Sequence, residues 1–236
     1  MKIRRKLLIP LVSSVAILAV GLTYLLAVAL PRKWEKERAS KAVQEYYNAK
    51  IAMYESENAS YEDYEVDVAF LGDSLTDGYD LEKYYPQYLV LNRGIGGETT
   101  FGLEKRLEVS VYDLKPKVAV LLIGANNFDT MFENYENILM GFKEHLPETK
   151  IVLLSLTSMG GEWGKNNQKA AYSNIKIKLF AEKYGYEFVD LYTPLFNLET
   201  GEIYAEYTTD GGHLTSKGYE VFTEAVSPVL KELLGR

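Results

Sequence analysis

From residue 66 to its C-terminus, the chain alternates short apolar stretches, rich in β-branched residues, with longer stretches typical of helices. The predicted strands lie at 66–71, 88–91, 118–123, 151–156 and 187–191, and the predicted helices at 99–114, 131–146, 167–184 and 215–234. Strands that alternate with helices form a parallel sheet with helices on its faces. The pattern therefore predicts an α/β domain with three layers, α/β/α, around a five-stranded parallel sheet in a flavodoxin-like arrangement. Its ligands should bind beyond the carboxyl ends of the strands.

The N-terminus has a different composition from the rest of the chain. Basic residues at positions 2, 4, 5 and 6 precede an uncharged apolar stretch, residues 7–30, that would be about 36 Å long as a helix. This length predicts an N-terminal transmembrane helix that serves as a signal anchor, with the following domain outside the cell membrane. A cleaved signal peptide and a secreted protein are the alternative, because Ala27-Val28-Ala29 has the small-x-small pattern of a cleavage site.

The sequence divides into an N-terminal tip and anchor at 1–31, a helical stalk or linker at 32–64, and the α/β domain at 65–236. Residues 32–60 contain no glycine or proline and consist largely of helix formers. Residues 1–38 hold eight of the 26 basic and two of the 33 acidic residues, so residues 39–236 carry 18 and 31, a net charge of −13. Such an acidic domain is not expected to bind nucleic acid.

Polar clusters follow the predicted strands or precede the last helix. They are Gly72-Asp73-Ser74, residues 92–99, residues 124–127, and Asp210-Gly211-Gly212-His213. Nucleophilic acyl transfer needs a hydroxyl, an imidazole, a carboxylate and oxyanion donors, and these clusters contain each of them. Taken alone, Ser74 is either a nucleophile or, like Asp73, a cap of the following helix.

Four ordered blocks make the chain resemble the SGNH hydrolases, also called GDSL esterases and lipases. The blocks are GDSL at 72–75, RGIGGET at 93–99, GANN at 124–127 and DGGH at 210–213, and the resemblance covers nearly all of residues 66–232. The GIGGETT segment is particularly similar to the platelet-activating-factor acetylhydrolase branch of that family.

The resemblance implies a role for each matching residue. Ser74 would be the nucleophile, His213 the base and Asp210 the residue that orients it. The oxyanion would be held by the backbone N–H groups of Ser74 and Gly97 and by the side chain of Asn126. The third block of the family usually ends in aspartate, whereas Asn127 stands there in this chain, which predicts different hydrogen bonding near Asn126.

Four further residues are candidates for substrate binding: Asp73, Asn127, Met159 and Trp163. Met159 and Trp163 belong to a glycine-rich loop expected on the active face, where an aromatic residue either lines a pocket or anchors the loop. No cofactor and no metal are expected, because the chain has two histidines, no cysteine and no H-E-x-x-H motif. No G-x-S-x-G elbow is present either.

These features predict a serine ester hydrolase that acts through an acyl-enzyme. Its substrates would be short-chain acyl or acetyl esters, either small or linked to a polymer, of cell-surface carbohydrate or lipid. The membrane would be a partner through the N-terminal helix. The alternatives are an acyltransferase on the same fold and a non-catalytic surface binding module.

Overall fold

The computed structural model describes residues 25–236 of the chain. The predicted membrane span at 7–30 lies almost entirely outside this range. Between residues 25 and 236, no helix has both the length and the apolar character needed to cross a membrane. The contacts within the chain divide it into two compact units, and the boundary along the sequence lies between Lys50 and Ile51.

The described part of the first unit is helical. A π-helical turn at Leu25–Ala29 leads into helix α1, Leu30–Asn58, which covers most of the helical stretch predicted at 32–60. Pro31, which has no backbone N–H to donate, stands where the π-helical turn passes into α1. The last two turns of α1, from Ile51 onward, belong to the second unit.

The second unit is built on a five-stranded parallel sheet. Its strands are β1 Val68–Gly72, β2 Val90–Gly94, β3 Val118–Leu122, β4 Lys150–Leu154 and β5 Glu187–Val189. They pair in the order β2-β1-β3-β4-β5, and every pair is parallel. Every residue of β1 and β3 is buried, so both faces of the sheet are covered, as expected for continuous apolar strands. The predicted flavodoxin-like α/β fold is confirmed.

The helices of the second unit connect these strands. They are α2 Ser74–Asp77, α3 Leu81–Tyr84, α4 Thr100–Lys105, α5 Tyr135–His145, α6 Asn167–Tyr184, α7 Tyr192–Leu195 and α8 Ser216–Leu234. A small antiparallel hairpin, β6 Phe196–Asn197 and β7 Glu202–Ile203, lies between α7 and α8. Two-residue strands carry no periodicity, so the sequence did not predict this hairpin.

The single helix predicted at 99–114 is wrong. It divides into α4 and a π-helical turn at Glu108–Tyr112. The division comes at Arg106, which ends α4 and whose buried side chain donates to the backbone carbonyls of Arg93 and Gly72. This tertiary contact leaves no signal in the helical periodicity of the sequence.

Candidate active site

Ser74 is the first residue of α2, immediately beyond the carboxyl end of β1. The cap of this helix is Asp73, whose Oδ1 accepts a hydrogen bond from the N–H of Leu75 at 3.1 Å. The turn requires glycine at position 72, because a Cβ there would collide with the carbonyl oxygen of Leu122. Because Asp73 is the cap of α2, the Ser74 hydroxyl does not serve as the cap.

The Ser74 hydroxyl lies at one end of a chain of hydrogen bonds. Its Oγ is 3.1 Å from Nε2 of His213, and Nδ1 of His213 is 2.8 Å from Oδ2 of Asp210. The other carboxylate oxygen of Asp210 accepts from the backbone N–H groups of His213, at 2.8 Å, and Gly212, at 2.9 Å. The bond from His213, followed by these two backbone bonds, lowers the pKa of Asp210 to about 2. An ionised carboxylate thus faces one ring nitrogen, and the serine hydroxyl faces the other.

The loop that carries Asp210 and His213 packs closely on the glycine-rich loop after β4. The N–H of Gly160 donates to the carbonyl of Gly211 at 2.9 Å. Gly211 has a φ of +89°, and a Cβ at this position would collide with the Gly160 carbonyl. A Cβ on Gly212 would lie 3.1 Å from the ring of Trp163. Gly211 is therefore required for the loop to place His213 opposite Ser74, whereas a side chain at position 212 would require a small shift of Trp163.

A cavity of about 270 Å³ opens beside Ser74 and His213. Gly97 borders this cavity with a φ of +76°, a backbone conformation that favours glycine, and the space next to its Cα is open. Asn126 also borders it, and its Nδ2 donates to the carbonyl of Glu98 at 2.9 Å. An amide nitrogen carries two hydrogens, so Asn126 retains one for a ligand.

A buried ion pair supports these loops from behind. Nε of Arg106 donates to Oε2 of Glu98 at 3.0 Å, and the guanidinium also donates to the carbonyls of Gly72 and Arg93, at 3.1 and 2.9 Å. Arg106 thereby connects the ends of β1 and β2 to Glu98, whose backbone carbonyl accepts the hydrogen bond from Asn126. No sequence motif indicated this role, because Arg106 lay within a predicted helix.

The remaining candidates occupy two different places. Met159, Trp163 and Asp73 line the cavity beside Ser74, together with Leu75, Ala125 and Gly212 from the sequence blocks. Thr157 also lines it, and the sequence did not indicate this residue. Asn127 does not line it. Its amide donates to Oγ1 of Thr100 at 2.9 Å and accepts from the N–H of that residue at 3.2 Å. An aspartate could not donate this bond, so the local hydrogen bonding depends on asparagine.

Asp73 is almost completely buried. Burial raises its pKa to about 6, and among the described residues its Oδ2 has no hydrogen-bond partner. Within residues 25–236, no three His, Cys, Asp or Glu side chains come close enough together to hold a metal ion.

Several solved structures are similar to this chain. An acylhydrolase from Bacteroides fragilis is 25% identical, with a TM-score of 0.69, and the match covers 77% of this chain and 95% of that one. A protein from Streptococcus pneumoniae described as a platelet activating factor is 27% identical, with a TM-score of 0.65 and coverages of 87% and 98%. Axe2, an acetylxylan esterase from Geobacillus stearothermophilus, shares the fold at 21% identity, with a TM-score of 0.59 and coverages of 71% and 95%.

The family comparison agrees with the four sequence blocks. No curated protein matches the chain at a significant level. The profile of the GDSL-like lipase/acylhydrolase family matches residues 70–221, which include the glycine-rich loops and all the site residues described above. The chain therefore belongs to the GDSL-like lipase/acylhydrolase family and is a carboxylic ester hydrolase.

Proposed function

We propose that the protein is a serine esterase that removes short acyl groups, such as acetyl, through an acyl-enzyme. The observation that carries the proposal is the hydrogen-bonded chain from Ser74 through His213 to Asp210, which opens into the cavity of about 270 Å³. Ser74 is the nucleophile, His213 the general base and Asp210 the residue that orients the imidazole.

In the first half of the reaction, Oγ of Ser74 attacks the ester carbonyl carbon while its proton passes to Nε2 of His213. The oxyanion accepts hydrogen bonds from the backbone N–H groups of Ser74 and Gly97 and from the Asn126 amide. When the tetrahedral intermediate collapses, the bond to the alcohol oxygen breaks and His213 protonates that oxygen. Ionised Asp210 stabilises the imidazolium throughout.

In the second half, His213 takes a proton from water, and the water oxygen attacks the acyl-enzyme carbonyl. The second intermediate expels Oγ of Ser74, which recovers its proton from His213. The products are a carboxylic acid and the free enzyme, so that no other reactant is consumed.

The decisive test is Ser74→Ala, assayed with 4-nitrophenyl acetate. Without the nucleophile, kcat/KM should fall on the order of a thousandfold to a millionfold while the far-ultraviolet circular dichroism spectrum stays unchanged. Ser216→Ala, which removes an exposed hydroxyl at the start of α8, is the matched control and should retain full activity. Near-normal turnover by Ser74→Ala would refute the mechanism.

The size of the cavity supports a preference for short acyl chains. A buried methylene contributes about 0.8 kcal/mol only where there is room for it, and overpacking costs about 1 to 3 kcal/mol. We expect kcat/KM on 4-nitrophenyl esters to be highest from acetyl to butyryl and to drop at least about tenfold by octanoyl. The measurement is an ester series at constant pH, and an optimum at octanoyl or longer would contradict the preference.

We further propose that the protein is a single-pass membrane protein whose catalytic domain faces outward. Its support is the sequence at 7–30, an uncharged stretch long enough to span a bilayer that follows a basic N-terminus.

A further inference from the structure

Two more cavities continue from the catalytic cavity along the start of α6. The second cavity has a volume of about 450 Å³ and shares Ala125, Asn126 and Trp163 with the catalytic one. The third, also of about 450 Å³, shares Phe128, Asp129 and Lys169 with the second. The shared lining residues place the three cavities side by side, with Ser74 and His213 at one end, and this row of cavities is called the groove below.

The second cavity is lined by apolar side chains and by a set of polar groups. The polar groups are the amide of Asn166, the hydroxyl of Thr130, and the ion pair between Asp129 and Lys169 at 2.6 Å. The amide of Asn127 also lies in this wall, but its hydrogens are already donated to Thr100 and Thr130. An aliphatic chain in this space would take these groups out of water without replacing their hydrogen bonds, at a cost in affinity. A ligand with many hydroxyl groups would replace the bonds, because hydroxyls and amides both donate and accept.

Aromatic side chains alternate with these polar groups along the groove. Trp163 stands between the first two cavities with 40% of its surface exposed, and Phe128 stands between the second and third. In the third cavity, Tyr172 is 71% exposed and lies near Gln168. The exposed rings of Trp163 and Tyr172 offer flat apolar faces to the C–H groups of a ring-shaped ligand, while the Asn166 amide and the neighbouring charged groups bind its hydroxyls.

We infer that this groove binds a carbohydrate chain, and that the natural substrate is an O-acylated polysaccharide whose sugar is the leaving group. The inference rests on the proposed esterase function and names its substrate class. The ester bond between the acyl carbon and the sugar oxygen breaks, His213 protonates that oxygen, and the polysaccharide leaves with a free hydroxyl. A lipid tail fits the groove less well, because polar groups line its middle section.

The full-length protein, purified in detergent, allows the substrate classes to be compared through esters of the same acyl group. The three probes are an O-acetylated oligosaccharide of four to six sugar units, an acetylated monosaccharide, and an acetylated dioleoylglycerol. We expect kcat/KM for the oligosaccharide to exceed that for the monosaccharide by at least about tenfold, since only a chain reaches the second and third cavities. The acetylated lipid should be the poorest substrate. Equal values for the two sugars, or a preference for the lipid, would overturn the inference.

A pair of variants on one helix tests the groove directly. Tyr172→Ala removes the exposed ring of the third cavity. The quantity compared is kcat/KM for the oligosaccharide divided by kcat/KM for 4-nitrophenyl acetate. Tyr172→Ala should lower this ratio at least about fivefold, mainly because KM for the oligosaccharide rises. Ile175→Ala removes a side chain of α6 that is 63% exposed outside the groove, and it should leave the ratio unchanged. Equal ratios in both variants would place the sugar elsewhere.

A binding measurement separates failure of the groove from failure of the esterase proposal. If the native enzyme does not hydrolyse 4-nitrophenyl acetate, the result contradicts the esterase proposal and not the carbohydrate groove. The oligosaccharide should still bind to Ser74→Ala in calorimetry, and more weakly once Tyr172→Ala is added. If Ser74→Ala does not bind the oligosaccharide while the native enzyme hydrolyses 4-nitrophenyl acetate, the carbohydrate groove is refuted and the esterase function stands.

Discussion

Two aspartates of the site have pKa values shifted in opposite directions by their surroundings. Hydrogen bonds from His213 and Gly212 stabilise the charged form of Asp210 and lower its pKa to about 2. Burial destabilises the charged form of Asp73 and raises its pKa to about 6, although the N–H of Leu75 donates to it. At pH 5, therefore, Asp210 is ionised and available to His213, while Asp73 is mostly neutral.

The raised pKa of Asp73 makes stability depend on pH. The folded protein binds the carboxyl proton of Asp73 more tightly than the unfolded chain does, and this difference stabilises the folded state. The stabilisation is complete below about pH 4 and is lost as the pH rises through about 6. Asp73→Asn keeps a capping oxygen but removes the titration. From pH 4 to 7, the free energy of unfolding of the native protein should fall relative to that of Asp73→Asn, by up to about 3 kcal/mol.

Urea unfolding at the two pH values measures this difference. Asp113→Asn, which changes an exposed aspartate, is the control and should follow the native protein at both pH values. A difference between Asp73→Asn and the native protein that is the same at pH 4 and pH 7 would contradict the assignment.

At the scale of elements, the end of α1 is fastened to β2. The guanidinium of Arg93, at the end of β2, is fully buried; it lies 4.6 Å from the ring centre of Tyr54 and donates to Oδ1 of Asn58 at 2.9 Å. Glu57 pairs with the same guanidinium, and the Tyr54 hydroxyl donates to the carbonyl of Gly94 at 2.6 Å. These bonds hold the strand end from which the segment with Gly97 begins.

Tyr54→Phe tests this attachment. The change keeps the ring against Arg93 but leaves the Gly94 carbonyl without its donor, so the free energy of unfolding should fall by about 1 to 2 kcal/mol. Denaturant unfolding measures the loss, and Tyr172→Phe, at an exposed tyrosine, should leave stability unchanged within about 0.5 kcal/mol. An equally stable Tyr54→Phe would mean that the bond contributes little to folding.

At the scale of the whole molecule, charge and hydropathy separate the N-terminus from the rest of the chain. The acidic residues dominate beyond residue 38, whereas the stretch at 7–30 carries no charge and follows four basic residues. This distribution favours an anchor with its basic end in the cytoplasm and an acidic domain on the outer side.

The proposed topology predicts the result of adding protease to intact cells. Residues 39–236 should be digested, and before digestion the protein should remain with the membrane fraction. A cytoplasmic protein of the same cells is the control for intact membranes. Recovery of a released chain that begins near residue 30 would favour the cleaved signal peptide.

The sequence by itself determined the fold, and it indicated the residues that form the hydrogen-bonded chain at the candidate site. Short continuous apolar runs that are rich in β-branched residues, such as 118–123, indicate buried strands. Helices such as α6 and α8 were predicted within one residue at each end from their helix-like sequence. The four blocks indicated Ser74, Asp210 and His213 because each block is a short, local pattern at the end of a predicted element.

Only the tertiary structure decided how distant parts of the chain meet. The break in the predicted helix at 99–114, the ties from Arg106 to Gly72 and Glu98, and the attachment of Tyr54 to β2 depend on contacts between separate elements. The groove likewise combines the loop after β3 with the start of α6. Periodicity reports which side of an element is buried, but it does not report which partner covers that side, because partners are chosen by packing and hydrogen bonding in three dimensions.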